Sequence, residues 1–209
     1  GLNYASAPVG LDDSHTTDLR LAHALGGRDE LMGRYSFSTR DLFEPFSGAA
    51  FAQFPGYGNN VPRQAHNAVI GETHTFSPVL INEARIAFSR LSLNVNQQNQ
   101  ATDVNAQVGL PHLWSNSRDN GLSYITVLGY SPLGDEYNNP QRGVTNTYQL
   151  TDQISWSRGA HIYKFGGELR KLEQNAFRDV QSRGFINFIG FTGNALSELL
   201  QGLPAISGG

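Results

Sequence analysis

The chain contains no cysteine, which excludes a disulfide scaffold, Cys-ligated zinc and thiol chemistry together. Charge is scarce as well. Asp, Glu, Lys and Arg make up 16% of the 209 residues, where an ordinary domain carries about a quarter. A formal charge of −3 with no block of like charges excludes a long acidic or basic tail. It also excludes the basic stripe of a nucleic-acid binder, so no nucleic acid is expected as a partner. No run of about 18 apolar residues occurs, so no helix of this chain spans a bilayer. What stands in place of charge is amide: 17 Asn and 12 Gln nearly match the 15 basic and 18 acidic residues combined. Glycine is abundant at 23, aromatics reach 11%, and apolar content stays at 39%. The chain opens Gly-Leu-Asn-Tyr without a basic or apolar leader and stops at Gly208-Gly209, which reads as an internal piece of a longer polypeptide.

Period-two alternation dominates the pattern and helical spacing is rare. Leu19, Leu21, His23 and Leu25 alternate with Arg20, Ala22 and Ala24, then turn at Gly26-Gly27-Arg28-Asp29. Leu31, Gly33, Tyr35 and Phe37 follow against Met32, Arg34, Ser36 and Ser38, completing a β-hairpin. A second hairpin is predicted from Ala65 to about Asn94 with its turn at Ser77-Pro78-Val79-Leu80. A third carries Tyr148, Leu150, Ile154 and Trp156, then Tyr163, Phe165, Gly167 and Leu169, around Ser157-Arg158-Gly159-Ala160. A seventh strand is expected over 184–191, and Asn194 is placed to cap one short helix over 195–201.

The turns inside each hairpin are predicted at about four residues, whereas the links between hairpins are long and rich in Gly, Pro, Asn and Gln. Short turns on one side and long loops on the other are the habit of outer-membrane barrels. Strands of about ten residues, tilted near 45°, would cross the apolar band of such a barrel. The expected fold is therefore all-β: antiparallel up-and-down hairpins forming a partial segment of a large transmembrane barrel, residues 1–209, with six or seven strands. A soluble sheet with one wet face alternates in the same way and is the competing reading.

Barrel geometry assigns faces. Leu19, Leu21, Leu31, Tyr35, Phe37, Ile86, Phe88, Leu150, Ile154, Trp156, Tyr163, Phe165 and Leu169 are expected to face lipid. Arg20, Arg34, Arg85, Gln149, Gln153, Lys164, Glu168 and Arg170 are expected to face the lumen. A one-residue slip would exchange the two sets. Eight polar groups in hydrocarbon, at a discounted ~1 kcal/mol each, would then cost about 8 kcal/mol.

Catalytic chemistry is not expected. No His-Glu-x-x-His, nucleophile elbow or phosphate-binding glycine loop occurs. Asp12-Asp13 and Asp135-Glu136 are adjacent, and neighbouring side chains on an extended chain point apart; Asp135-Glu136, beside Asn138-Asn139, could bind a cation in an outer loop, but reads rather as a solvated turn. His66 and His74 lie some 26 Å apart along a strand, as do His15 and His23. With no carboxylate seen at short spacing, neither a metal site nor a cofactor is expected. Phe43, Phe46, Phe51, Phe54 and Tyr57 form an aromatic-rich stretch that could stack on a sugar or a siderophore, or simply pack a loop.

Several segments resemble the Oar-like TonB-dependent receptors of the bacterial outer membrane. Asp29-Glu30-Leu31-Met32-Gly33-Arg34-Tyr35-Ser36 is similar to their first full hairpin, and Phe76-Ser77-Pro78-Val79-Leu80-Ile81-Asn82-Glu83 to a later turn. Ile154-Ser155-Trp156-Ser157-Arg158-Gly159-Ala160-His161, followed by Lys164-Phe165-Gly166, resembles another hairpin. Phe191-Thr192-Gly193-Asn194-Ala195 with Leu200-Gln201-Gly202-Leu203-Pro204 resembles a loop helix. The resemblance implies a barrel of usually 22 strands closed by an N-terminal plug, embedded in outer-membrane lipid and energised by an inner-membrane complex, that takes up a bulky solute without catalysis. The plug and most strands would lie outside this chain. The alternatives are a passive porin or structural surface barrel, and a soluble extracellular carbohydrate-binding β-domain.

Overall fold

The computed structural model describes residues 4–46 and 54–209. Six long strands form one antiparallel sheet in chain order: β1 (Leu11–Leu25), β2 (Asp29–Glu44), β3 (Asn59–Ser77), β4 (Leu80–Gln97), β6 (Gln141–Arg158) and β7 (His161–Arg178). The three hairpins are where alternation places them. All three short turns lie at one end, and the links 45–58 and 98–140 lie at the other.

Two dimensions differ from expectation. The strands run 15 to 19 residues, not ten. Polar stretches such as Asn59–Gln64 and Arg170–Arg178 also pair, because a ladder satisfies backbone groups whatever side chains it carries. The turns are correspondingly tighter than four residues, with three residues (Gly26, Gly27 and Arg28) outside the strands at the first and only Pro78-Val79 and Gly159-Ala160 at the other two. At Gly159 the backbone sits at φ +59°, the left-handed region where a Cβ is unfavourable.

The expected seventh strand does not extend the large sheet. Only Phe185–Phe188 is extended, as β8, and it pairs in parallel with β5 (Tyr124–Val127) and antiparallel with β9 (Ile206–Gly208). Its parallel partner arises from the long link 98–140, so hairpin logic could not foresee it. Helix α1 (Val104–Gln107) and a 3-10 turn (Ser117–Asp119) complete this second layer.

Helix α2 (Ala195–Gln201) starts at Asn194, whose side chain accepts from the Ser197 amide, and ends at Gly202 in the left-handed conformation. Ala195 and Leu199 pack on Val127, Phe188, Ile125 and Ile186, the one apolar cluster among the described residues. The large sheet has no such core: most of its large apolar side chains are exposed.

Replacing Gly159 by Ala should destabilise the full-length barrel by about 1 kcal/mol, and by Asn much less, because Asn tolerates positive φ. Urea unfolding of the refolded protein in detergent measures both.

Candidate functional site: a two-faced wall and its loop layer

Register across the five ladders sorts every side chain of the large sheet. Leu19 lies opposite Tyr35, Tyr35 opposite Ala68, Ala68 opposite Phe88, Phe88 opposite Tyr148. A second row runs Leu21, Gly33, Ile70, Ile86, Leu150 and Leu169. All thirteen residues expected to face lipid share this face. Arg20 lies opposite Arg34, Gln149 opposite Arg170, and Glu168 opposite Thr151, which is opposite Arg85; the eight residues expected to face the lumen share the other face.

The apolar face carries a band that slants across the strands. Phe37 ends it on β2, Phe88 and Tyr148 end it one cross-strand row nearer the short turns, and Leu169 ends it one row nearer still. A slanted band is what strands tilted to a common plane present. Trp156 and Tyr163 pair beside the β6–β7 turn with rings 5.6 Å apart, and Arg158 lies 5.7 Å over Trp156. Polar groups interrupt the band near the short turns: Asp29, Glu72 and His74 share this face, and Asn82 Nδ2 donates to Asp152 Oδ1 (2.6 Å).

The opposite face is laced with ions. Arg40 grips Asp12 through two nitrogens, Arg34 pairs with Asp18 (2.9 Å) and Arg170 with Glu168 (2.8 Å). All these groups are substantially exposed, so each pair is worth little singly. Together they make the face wettable.

At the long-link end the loop layer closes over a buried polar knot. Asp135 is fully buried; its carboxylate accepts from the Leu122 amide (2.8 Å) and Asn99 Nδ2 (3.2 Å). Arg183 is 2% exposed and donates to the Glu136 carbonyl (2.6 Å). Asn59 at the start of β3 donates to Glu136 Oε2 (3.1 Å) and accepts from Asn139 (2.7 Å). Gln97 at the end of β4 donates to the carbonyls of Arg118 and Asn120, while Asn105 joins Ser123 and Pro111. Gly121, at φ +142°, must lack a side chain because a Cβ would stand 2.5 Å from Asp135 Oδ2.

The solvated-turn reading of Asp135-Glu136 is therefore corrected: both are buried, because the long link folds back onto the strand ends. The amide surplus in the composition finds its place here. Irregular backbone can be buried only if its N–H and C=O groups find partners, and Asn and Gln supply both without a charge to desolvate.

Among the described residues, the aromatics of that stretch do not gather into one cluster. Phe43 lies in β2 opposite Leu11 and Asn60, Phe46 sits at the bend after that strand, and Phe51 lies outside the described residues. Phe54 stacks 5.5 Å from Tyr4. The partly buried hydroxyl of Tyr57 is pushed up by burial and then by the charge of Asp135. An apolar cavity of about 510 Å³ opens elsewhere in the layer, lined by Leu110, Leu113, Ile125, Phe185, Phe188 and Leu199. It depends on the β5–β8 pairing, which local sequence patterns do not announce.

The expectation that His74 has no carboxylate at short spacing also fails. Glu72 is two residues away on the same face, and β2 brings Asp29 directly opposite His74. Spacing between histidines was the wrong quantity to read; cross-strand register was the right one.

The buried carboxylates of the loop layer titrate with opposite signs. Burial pushes Asp135 up, more strongly than the Leu122 amide, Arg183 and Asn99 pull it down, and burial likewise pushes Glu136 up. A raised carboxylate stabilises the fold when protonated, and that contribution fades as pH rises through the raised value. Burial opposes ionisation of Glu198 too, but the Thr192 and Gly190 amides outweigh it and hold its carboxyl below the usual range. Its contribution is lost only as pH falls below the ordinary carboxylate range. Intrinsically corrected amide exchange at Leu122 should therefore be slower near pH ~5 than near pH ~8. Asp135→Asn should remove most of that difference.

No curated protein is significantly similar to the chain. Residues 1–208 match the family model described as an outer membrane beta barrel domain. That match spans nearly the whole sequence, and it agrees with an antiparallel sheet whose two faces differ in polarity and whose turns are short at one end only. The chain belongs to the outer membrane β-barrel domain family and resides in the bacterial outer membrane.

Proposed function

We propose that this chain is part of the wall of a TonB-dependent transporter of the Oar-like kind, serving energised uptake of a bulky solute, with no catalysis by its residues. The observation that carries the proposal is the gathering of these thirteen apolar and eight polar residues onto opposite faces by one register, together with a folded loop layer at a single end. The apolar face meets lipid. The ion-laced face, from Arg20 to Arg170, lines a hydrated interior. The loop layer, with its apolar cavity, stands where an arriving solute makes first contact.

Six strands do not close a barrel, since single-chain barrels start at about eight. The edges of β1 and β7 are unpaired among the described residues and would leave backbone groups unsatisfied in hydrocarbon. Further strands must pair with them. A large parent barrel, with a plug against the polar face and an inner-membrane energising complex, fits that requirement and the family-like motifs at the turns.

Two measurements on the full-length parent test the reading. In liposomes a membrane-impermeant thiol reagent should label an introduced cysteine at Gln153 and miss one at Ile154; equal labelling would sink the face assignment. In planar bilayers the protein should hold no steady open conductance, because a plug closes it. A stable channel would favour a passive porin.

A further inference from the structure

We propose that Asp29, Glu72 and His74 form a binding site for a borderline divalent cation of the zinc(II) type. The β2–β3 ladder sets Asp29 directly opposite His74, and period two places Glu72 on the same face two residues earlier. One ligand atom from each of the three lies within 4.8 Å of the others. Tetrahedral zinc with bonds of about 2.1 Å needs donors roughly 3.4 Å apart, so Glu72 must close by about an ångström while Asp29 and His74, already in contact, part slightly. They are free to do so, since Asp29 and His74 are each about one-third exposed and Glu72 is exposed.

The surroundings favour a cation. The His74 imidazole contacts the Asp29 carboxylate through Nδ1, and the Phe76 ring, edge-on at 4.3 Å, limits its rotation. Glu72 has no hydrogen-bond or ion-pair partner among the described residues, and no Lys or Arg pairs with Asp29. One carboxylate holds the imidazole and the other stands unpaired beside it, and a divalent ion would neutralise both. Calcium and magnesium take oxygen donors and would leave the imidazole unused. One nitrogen and two carboxylates, with a position open for water, is instead a zinc-type donor set.

A bound ion would clip β2 to β3 beside the first short turn, on the outward face of the wall. The site depends on sheet register alone and stands or falls separately from the transporter reading.

Full-length protein, stripped with chelator in detergent and titrated with zinc(II), should show one saturable site with a Kd of about 10 µM or tighter. His74→Ala and Glu72→Gln should each weaken it at least tenfold, while His66→Ala should leave it unchanged. Millimolar magnesium should not compete. The ion should also raise the unfolding temperature of the parent protein and not that of His74→Ala. Identical titrations for the parent and both site variants, or displacement by magnesium, would overturn the proposal.

Discussion

Register is the constraint on which the wall depends. In a sheet with period-two side chains, one residue of slippage turns every apolar group to the wrong side. The five ladders prevent this collectively, because each strand is held by its neighbours and by a turn too short to absorb an extra residue. The sheet therefore needs no packed interior. Its large apolar residues stand exposed, which would be a serious fault in a protein surrounded by water and is required of one whose solvent on that side is lipid.

The loop layer solves a different problem with different chemistry. Its apolar cluster is small, and much of its buried volume is polar: Asn59, Gln97, Asn105, Asn139, Asp135 and Arg183. Side-chain amides do there what a ladder does in the wall, pairing backbone groups that no strand or helix reaches. Because the knot joins Asn59, Gln97, Glu136 and Arg183, it ties strand ends to links far away in sequence. The layer is attached to the strands it caps.

How much of this was legible in advance divides along the same line. The hairpins, the two faces and helix α2 with its Asn194 cap follow from alternation, turn residues and capping rules, all of which act over a few residues. The β5–β8 pairing and the burial of Asp135 arise from contacts between distant segments, and no local pattern signals them. Strand length exceeds what alternation shows, for a physical reason. Alternation is visible only where a face is apolar, and the ladders continue through polar sequence such as Arg170–Arg178. Asp29 joins Glu72 and His74 only across the β2–β3 ladder, a neighbour that spacing along one strand does not show.

The extra strand length has a consequence of its own. Eighteen residues at about 3.3 Å, tilted near 45°, rise roughly 42 Å, whereas the apolar band of an outer-membrane barrel is about 25 Å tall. Trp156 and Tyr163 lie close to the short turns, so in the proposed orientation the surplus stands on the loop side. The outward residues there are mostly hydrophilic, Gln64, Arg90, Asn146 and Glu173 among them, with Leu11, Phe43, Val144 and Phe177 as apolar exceptions near the strand ends. In that orientation the sheet continues past the lipid as a water-wetted palisade. It carries the loops above the crowded headgroup zone, where a large molecule approaching from outside meets protein before it meets membrane.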